Sequence, residues 1–361
     1  MVKKIKLFDP TTGILEKTAI VKVLESHFWA SGTGGGLVSE FENRFRKYVQ
    51  SEQCVALNSG TAALHLALSL FDLKNFEVIL PSLTFVSTAH AVLYNNARPI
   101  FVEIDPTTLC IDPNAITKSI SKKTKAILPV HFAGMPANLD KIKDLCNEHN
   151  LVLIEDAAHA VGSLYKKKKI GSHGNAICFS FHPVKNLAMP NGGAIMLNGE
   201  NSSAYYKELT SKRWCGISNR KDVDYDVNYL GWNYYMNEFS AAIGLIQLEK
   251  LDSLNKRRKK IANKYFKELN IEQKMPFNED CSYHFYWICV KNRNKIRKRL
   301  LEKGIETGIH YKPIHTMSFY ANGIKLPLTE KIGSEIITIP NHPNLTNEDV
   351  EQIIDSVNCI L

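Results

Sequence analysis

The sequence predicts an α/β protein, with a mainly parallel seven-stranded sheet covered by helices and then a smaller α+β domain. Three observations predict it. Between Gln53 and about Leu209 short apolar runs alternate with amphipathic ones. Two of those runs lead into residues able to do chemistry, Glu155-Asp156 at the end of one and Lys185 in the loop after another. Beyond Asn237 a long stretch with few breakers interrupts the alternation, and shorter elements follow it. Alternating strand and helix patterns are the mark of βαβ units, whose buried parallel strands read as continuous apolar runs.

The seven expected strands are 54–57, 78–80, 100–104, 126–130, 151–154, 176–181 and 194–197. Right-handed crossovers put helices on both faces of such a sheet, and ligands collect beyond the carboxyl ends of its strands. Residues 237–266 read as a connector helix leaving the first domain. After Met275 we expect strands at 284–290, 308–311 and 336–339, helices near 295–303 and 347–360, and a loop running up to Lys325. The expected division is therefore a large ligand-binding domain with its N-terminal arm, 1–240, and the connector helix with a small domain, 241–361.

With 361 residues, 44% of them apolar and 22% charged, the chain has the composition of an ordinary globular protein large enough for two lobes. The first seven residues hold three lysines, but no long apolar run follows, and no stretch reaches the roughly 18 apolar residues of a membrane span. A cytoplasmic protein is the expectation. The eight cysteines are scattered without a CxxC pair, and Cys54, Cys178 and Cys289 lie inside apolar runs, so they read as reduced, buried thiols rather than disulfides or metal ligands. Basic residues exceed acidic ones by 45 − 36 = 9, which favours anionic partners such as nucleotides and phosphates. The basic clusters at 166–169 and 256–260 lack interleaved aromatics and read as solvated turn and helix faces, not as a nucleic-acid surface.

The segment Cys178-Phe-Ser-Phe-His-Pro-Val-Lys-Asn-Leu-Ala-Met-Pro-Asn-Gly-Gly193 delivers one lysine, Lys185, into a loop just ahead of a glycine pair. The run 151–154 ends in Glu155 and Asp156, so two strand ends can offer an amine and a carboxylate to one cleft. That pairing suits pyridoxal phosphate: the carboxylate keeps the pyridine nitrogen cationic, and the amine binds the aldehyde and then moves protons. Asn58-Ser-Gly-Thr-Ala-Ala63 follows the first strand and opens a helix whose N-terminus can receive a phosphate. The residues alone leave plainer readings open. Asp156 can cap the helix expected at Ala157, Ser59 or Thr61 can cap an ordinary turn, and a lysine chosen blindly lies on the surface.

Five ordered blocks carry a resemblance. Asn58-Ser-Gly-Thr-Ala-Ala-Leu-His-Leu-Ala67, Leu80-Pro-Ser-Leu-Thr-Phe-Val-Ser-Thr88, Glu155-Asp-Ala-Ala-His159, Ser180-Phe-His-Pro-Val-Lys-Asn186 and Gly231-Trp-Asn233 resemble, in order and spacing, the DegT/DnrJ/EryC1/StrS aminotransferases, as does Leu345-Thr-Asn-Glu-Asp-Val350. The resemblance implies fold type I architecture, pyridoxal 5'-phosphate as cofactor, and transfer of an amino group from L-glutamate to a keto sugar carried on a nucleotide. It implies Lys185 as the Schiff-base lysine and Asp156 as the partner of the pyridine nitrogen. Gly60, Thr61, Ala62 and Ser180 would surround the cofactor phosphate, Phe85 would stack on the ring, and His159 would approach the ring oxygen. Asn233 would reach the phosphate of a neighbouring subunit, making the active sites shared within a homodimer. Ile309-His-Tyr-Lys-Pro-Ile-His315 resembles the stretch lining the sugar side, which makes Tyr311 and His315 candidates for substrate contact.

Each of these residues also has a structural reading, as core packing, a backbone-bonding loop residue or a satisfied histidine. The chain departs from the family pattern at Pro190-Asn191, where relatives commonly carry Gly-Glu, and at Tyr235 and Ser240, where arginine and glutamine are frequent. These departures leave sugar identity open and do not touch chemistry at Lys185. Two further functions remain in view: a sugar dehydratase, a branch that resembles this family but has histidine in place of the lysine, and a regulatory protein that binds the cofactor without turnover.

Overall fold

The computed structural model describes residues 4–321 and 323–360; the outermost ends of the two expected domains, residues 1–3 and 361, lie outside the described residues. In chain order the first part contains α1 (Ile14–Ser26), α2 (Leu37–Val49), β1 (Gln53–Leu57), α3 (Gly60–Leu68), β2 (Glu77–Pro81), α4 (Ser87–Tyr94), β3 (Arg98–Val102), α5 (Pro113–Ser119), β4 (Thr124–Ile127), α6 (Leu139–His149), β5 (Val152–Asp156), β6 (Ala176–Ser180), β7 (Gly193–Leu197) and α7 (Ser202–Lys212). All seven expected strands join one sheet, in the order β1-β7-β6-β5-β4-β2-β3. Pairings among β2, β3, β4, β5 and β6 are parallel, and β7 runs antiparallel to both β6 and β1.

The apolar runs are continuous because both faces of the sheet are covered, with side chains alternating between them. Val55, Leu57, Val78, Leu80 and Ile154 pack with α3, α4 and α7 on one face. On the other, Cys54, Ala56, Ile177 and Phe179 meet α2 and the start of a long helix, while Ile79, Ile127 and Leu153 meet the C-terminal part of the chain. The reversal at β7 fixes the site's position. The chain leaves the carboxyl end of β6, makes the loop that carries Lys185, and returns through β7, so the loop lies at the end of the sheet where β5 delivers Asp156 and β1 delivers Ser59 and Gly60.

A hairpin, β8 (Ile217–Lys221) and β9 (Asp224–Val227), precedes α8 (Glu238–Glu268), and β10 (Tyr286–Cys289), α9 (Arg293–Glu302), α10 (Pro327–Glu335), β11 (Ile336–Ile339) and α11 (Asn347–Ile360) complete the chain. The strand expected at 308–311 does not form. Among the described residues only Gly308 bridges Thr338, through two main-chain bonds; two residues on, contact with that strand passes to side chains, with His310 Nδ1 on the Thr338 hydroxyl at 2.8 Å and its ring stacked on Phe285. Two expectations of exposure also change. Arg258, inside the basic cluster, is buried, since Leu251, Asn255, Arg258, Ala262 and Tyr265 recur at helical spacing on the inner face of α8. All eight cysteines are free, but Cys215 and Cys359 are exposed rather than buried; Cys215 lies just past α7 at φ 57°.

Candidate active site

A cavity of about 280 Å³ opens at the carboxyl end of the sheet. Ser59, Gly60 and Thr61 form one side of it, at the N-terminus of α3. Ser59 Oγ accepts the Ala62 N–H at 3.1 Å, which caps the helix. Thr61 Oγ1 and Ser87 Oγ lie 2.7 Å apart, so the starts of α3 and α4 meet at the cavity with their hydroxyls in contact. A Cβ on Gly60 would fall 2.6 Å from the Ser180 Cβ, and one on Gly193 would fall 2.3 Å from the Ser59 carbonyl oxygen, so both glycines permit the close approach that draws β1, β6 and β7 around the N-terminus of α3.

Asp156 ends β5 with its carboxylate held from both sides: Oδ2 accepts from Thr88 Oγ1 at 2.8 Å and Oδ1 accepts the Ala158 N–H at 3.1 Å. Burial pushes its pKa up, against those hydrogen bonds and the nearby Lys185 charge. Burial pushes the Lys185 amine down to about 8, with Asp156 opposing. The two groups feel each other's charge and line the same cavity, and no ion pair joins them among the described residues. Behind Asp156, Glu155 points to the opposite side of β5, where its Oε2 accepts from His131 Nε2 at 2.9 Å with both side chains fully buried.

The opposite wall is aromatic. Phe85, 55% exposed, follows β2 and faces Tyr311 with ring centroids 6.0 Å apart. His159 stacks on His284 at 4.8 Å, bonds Tyr311 through Nε2 at 3.1 Å and receives the Ala133 N–H on Nδ1 at 3.3 Å. Burial and the Lys185 charge keep His159 and His284 well below the usual imidazole range and bring His310 to about 4, so all three rings are neutral.

Of the residues singled out in the sequence, the structure brings together Gly60, Thr61, Phe85, Asp156, His159, Ser180, Lys185 and Tyr311 around this cavity. Ala62 is buried one turn inside α3 and contributes its N–H to the cap. Asn233 lies away from the cavity with an exposed side chain; its carbonyl accepts from Asn58 Nδ2 at 3.3 Å. His315 is behind the wall, 3% exposed, with Nδ1 against Ser82 Oγ at 2.6 Å and Nε2 against Glu330 Oε1 at 3.2 Å. Sequence reasoning missed Thr88, His310, His284 and the Ala133 N–H. Thr88 had a signal, one helical turn beyond Phe85 in a block already singled out; the backbone donor had none.

The sheet, the half-buried lysine and buried carboxylate, and the helix N-termini define a pyridoxal-phosphate-dependent enzyme of fold type I, and the site fits that group: helix N-terminal N–H groups and hydroxyls at Gly60, Thr61 and Ser180 for a phosphate, an aromatic face at Phe85, and a carboxylate and an amine on one cavity. The model for the DegT/DnrJ/EryC1/StrS aminotransferase family matches residues 11–358, and the chain belongs to that family. Its structure is similar to Helicobacter pylori PseC, an aminotransferase involved in the biosynthesis of pseudoaminic acid, at 29% identity and a TM-score of 0.93 over 99% of each chain. It is also similar to the sugar aminotransferase CalS13 of Micromonospora echinospora, at 29% identity and a TM-score of 0.91 over 99% of this chain and 100% of that one. Spr1654 of Streptococcus pneumoniae in its PLP-form matches at 28% identity with a TM-score of 0.93, over 99% of this chain and 98% of that one.

Proposed function

We propose that the protein is a cytoplasmic, homodimeric sugar aminotransferase that takes an amino group from L-glutamate and delivers it to a keto carbon of a nucleotide-linked deoxysugar. The observation that carries the reading is the Lys185 amine, half-buried, sharing one cavity with the buried Asp156 carboxylate, in a chain of this family. Similarity to the sugar aminotransferase CalS13 and to PseC supports a sugar acceptor. Unpaired cysteines suit a reducing compartment, and the outward-facing Asn233 suits a role in a neighbouring subunit's phosphate site. We also propose the division into a large domain, 1–240, and a connector with a small domain, 241–361.

Bound in the cavity, pyridoxal phosphate supplies an aldehyde and an electron-withdrawing ring. Lys185 Nζ provides the amine for that aldehyde and then carries protons, which an amine brought down to about 8 can do near neutral pH. Asp156, fixed by Thr88 and Ala158, holds a negative charge against the ring nitrogen. Gly60, Thr61 and Ser180 hold the phosphate, and Phe85 covers the ring. The nucleotide diphosphate is expected to meet lysine or arginine side chains near the cleft, in keeping with the excess of basic residues. The test is incubation of the purified protein with L-glutamate and a small panel of nucleotide-linked 3-keto and 4-keto sugars, read by mass. An aminated product with one of them is expected; a deoxygenated product, or no change with any, overturns the reading.

A further inference from the structure

We infer that the hydroxyl of Tyr311, oriented by His159, is the hydrogen-bond donor to the cofactor's ring oxygen, and that His159 is a positioning residue which does not touch that oxygen. The inference rests on pyridoxal phosphate occupying the cavity. Its starting point is a tautomer. The Ala133 backbone N–H donates to His159 Nδ1 at 3.3 Å, and a backbone nitrogen can only donate, so Nδ1 carries no proton. His159 is buried and neutral, with burial first and the Lys185 charge second opposing its protonation. Its single proton therefore sits on Nε2, and the atom facing Nε2 at 3.1 Å is Tyr311 Oη. The imidazole spends its only donor on the tyrosine.

The tyrosine oxygen then accepts, and its own proton is free for another acceptor. No hydrogen bond from that hydroxyl to a protein atom occurs among the described residues. Tyr311 lines the cavity with Phe85, Asp156 and Lys185, so an oxygen on a ring held between the last two is the acceptor at hand. Burial and the Asp156 charge keep the tyrosine protonated well above its ordinary range, so it remains a donor throughout the working pH range. Support for the relay comes from behind: His284 stacks on His159 at 4.8 Å and Phe8 stacks on His284 at 5.6 Å, a column that fixes the plane of the imidazole. The groups facing Tyr311 that titrate or carry charge are Asp156, Lys185, His159 and His310, and the histidines are neutral.

The experiment uses the full chain loaded with pyridoxal phosphate and follows the visible absorbance band of the bound cofactor against pH. A donor to the ring oxygen stabilises its anionic form and lowers the pH at which the band changes. Tyr311→Phe is expected to raise that midpoint by about one pH unit, and His159→Leu combined with it is expected to add little, because both changes remove one relay. His159→Gln, whose amide can still accept from Ala133 and donate to Tyr311, is expected to keep the wild-type midpoint. An unchanged midpoint in Tyr311→Phe, or a larger shift in His159→Leu alone, overturns the inference. Nitrogen-15 NMR of the cofactor-free protein gives a second reading: the Nε2–H tautomer of His159 is expected, and an Nδ1–H tautomer overturns the relay whatever the variants do. Failure of the underlying function looks different, since borohydride trapping would then leave no cofactor mass on Lys185 in the unaltered protein.

Discussion

The two walls of the cavity are built on different principles. The first, Gly60, Asp156, Ser180 and Lys185, stands on strand ends and on loops held by neighbouring strands, and β5 and β6 lock it through paired main chains. The second, His159, His310 and Tyr311, stands on irregular segments whose bonds at the cavity each involve a side chain: the Ala133 N–H to His159, His159 to Tyr311, His310 to the Thr338 hydroxyl. A ladder of backbone bonds holds groups where few substitutions can move them, while a wall of side-chain contacts can be rebuilt to change what enters. The difference predicts that changes in the first wall abolish chemistry and that changes in the second adjust it.

The largest break comes from Lys185→Ala. With no amine for the aldehyde and no proton carrier, kcat for amino transfer is expected to fall by about 10⁴-fold or more, and borohydride should leave no mass on the protein. Retention of a tenth of the activity would show that the first wall does not hold the chemistry. Asp156→Asn keeps the shape and the Thr88 contact but loses the charge against the ring nitrogen; a fall of about 10²- to 10³-fold is expected, in the range of losing one fixed electrostatic partner of the reacting group. Steady-state kinetics on the folded variant measure it, and a loss under fivefold would reduce Asp156 to holding the Ala158 turn; the helix expected at Ala157 does not form, and turns follow β5.

The pH dependence of cofactor uptake tests the burial of Lys185. The neutral amine is the attacking form, and burial disfavours the cation, so deprotonation occurs near 8 instead of the ordinary 10.5. The rate of band appearance after mixing cofactor-free protein with pyridoxal phosphate is expected to rise about tenfold per unit between pH 6 and 7 and to level off above about 8. A rate that keeps climbing to pH 10 would describe a solvated lysine.

The walls also differ in how far the sequence reveals them. Buried strands leave unbroken apolar runs, and a lysine or aspartate just past such a run stands out, so Lys185, Asp156 and the Ser59-Gly60 turn are legible together with all seven strands. His159 and Tyr311 are legible only through resemblance, because irregular segments have no period. The false strand at 308–311 has the same cause: Gly308 does bridge Thr338, but beyond it the contact is made by the His310 side chain and not by the main chain, which no alternation of apolar and polar residues records. Arg258 escaped for the opposite reason. Its place on the inner face of α8 is periodic, but charge in a run of lysines masks it.

The smallest expected effect separates the second wall from its support. His315 touches no cavity atom; its ring ties Ser82, at the end of β2, to Glu330 in α10, and its N–H and that of Ile314 both bond Ser82. His315→Ala would strand the buried Ser82 hydroxyl at a cost of about 1–3 kcal/mol, read as a lower melting temperature, while KM for the sugar substrate stays within about twofold. Tyr311 keeps its own bond to His159, which does not pass through His315, so a modest loss of stability need not move the wall. A tenfold rise in KM with stability intact would place His315 on the substrate side after all, and the second wall would then extend beyond the side chains that line it here.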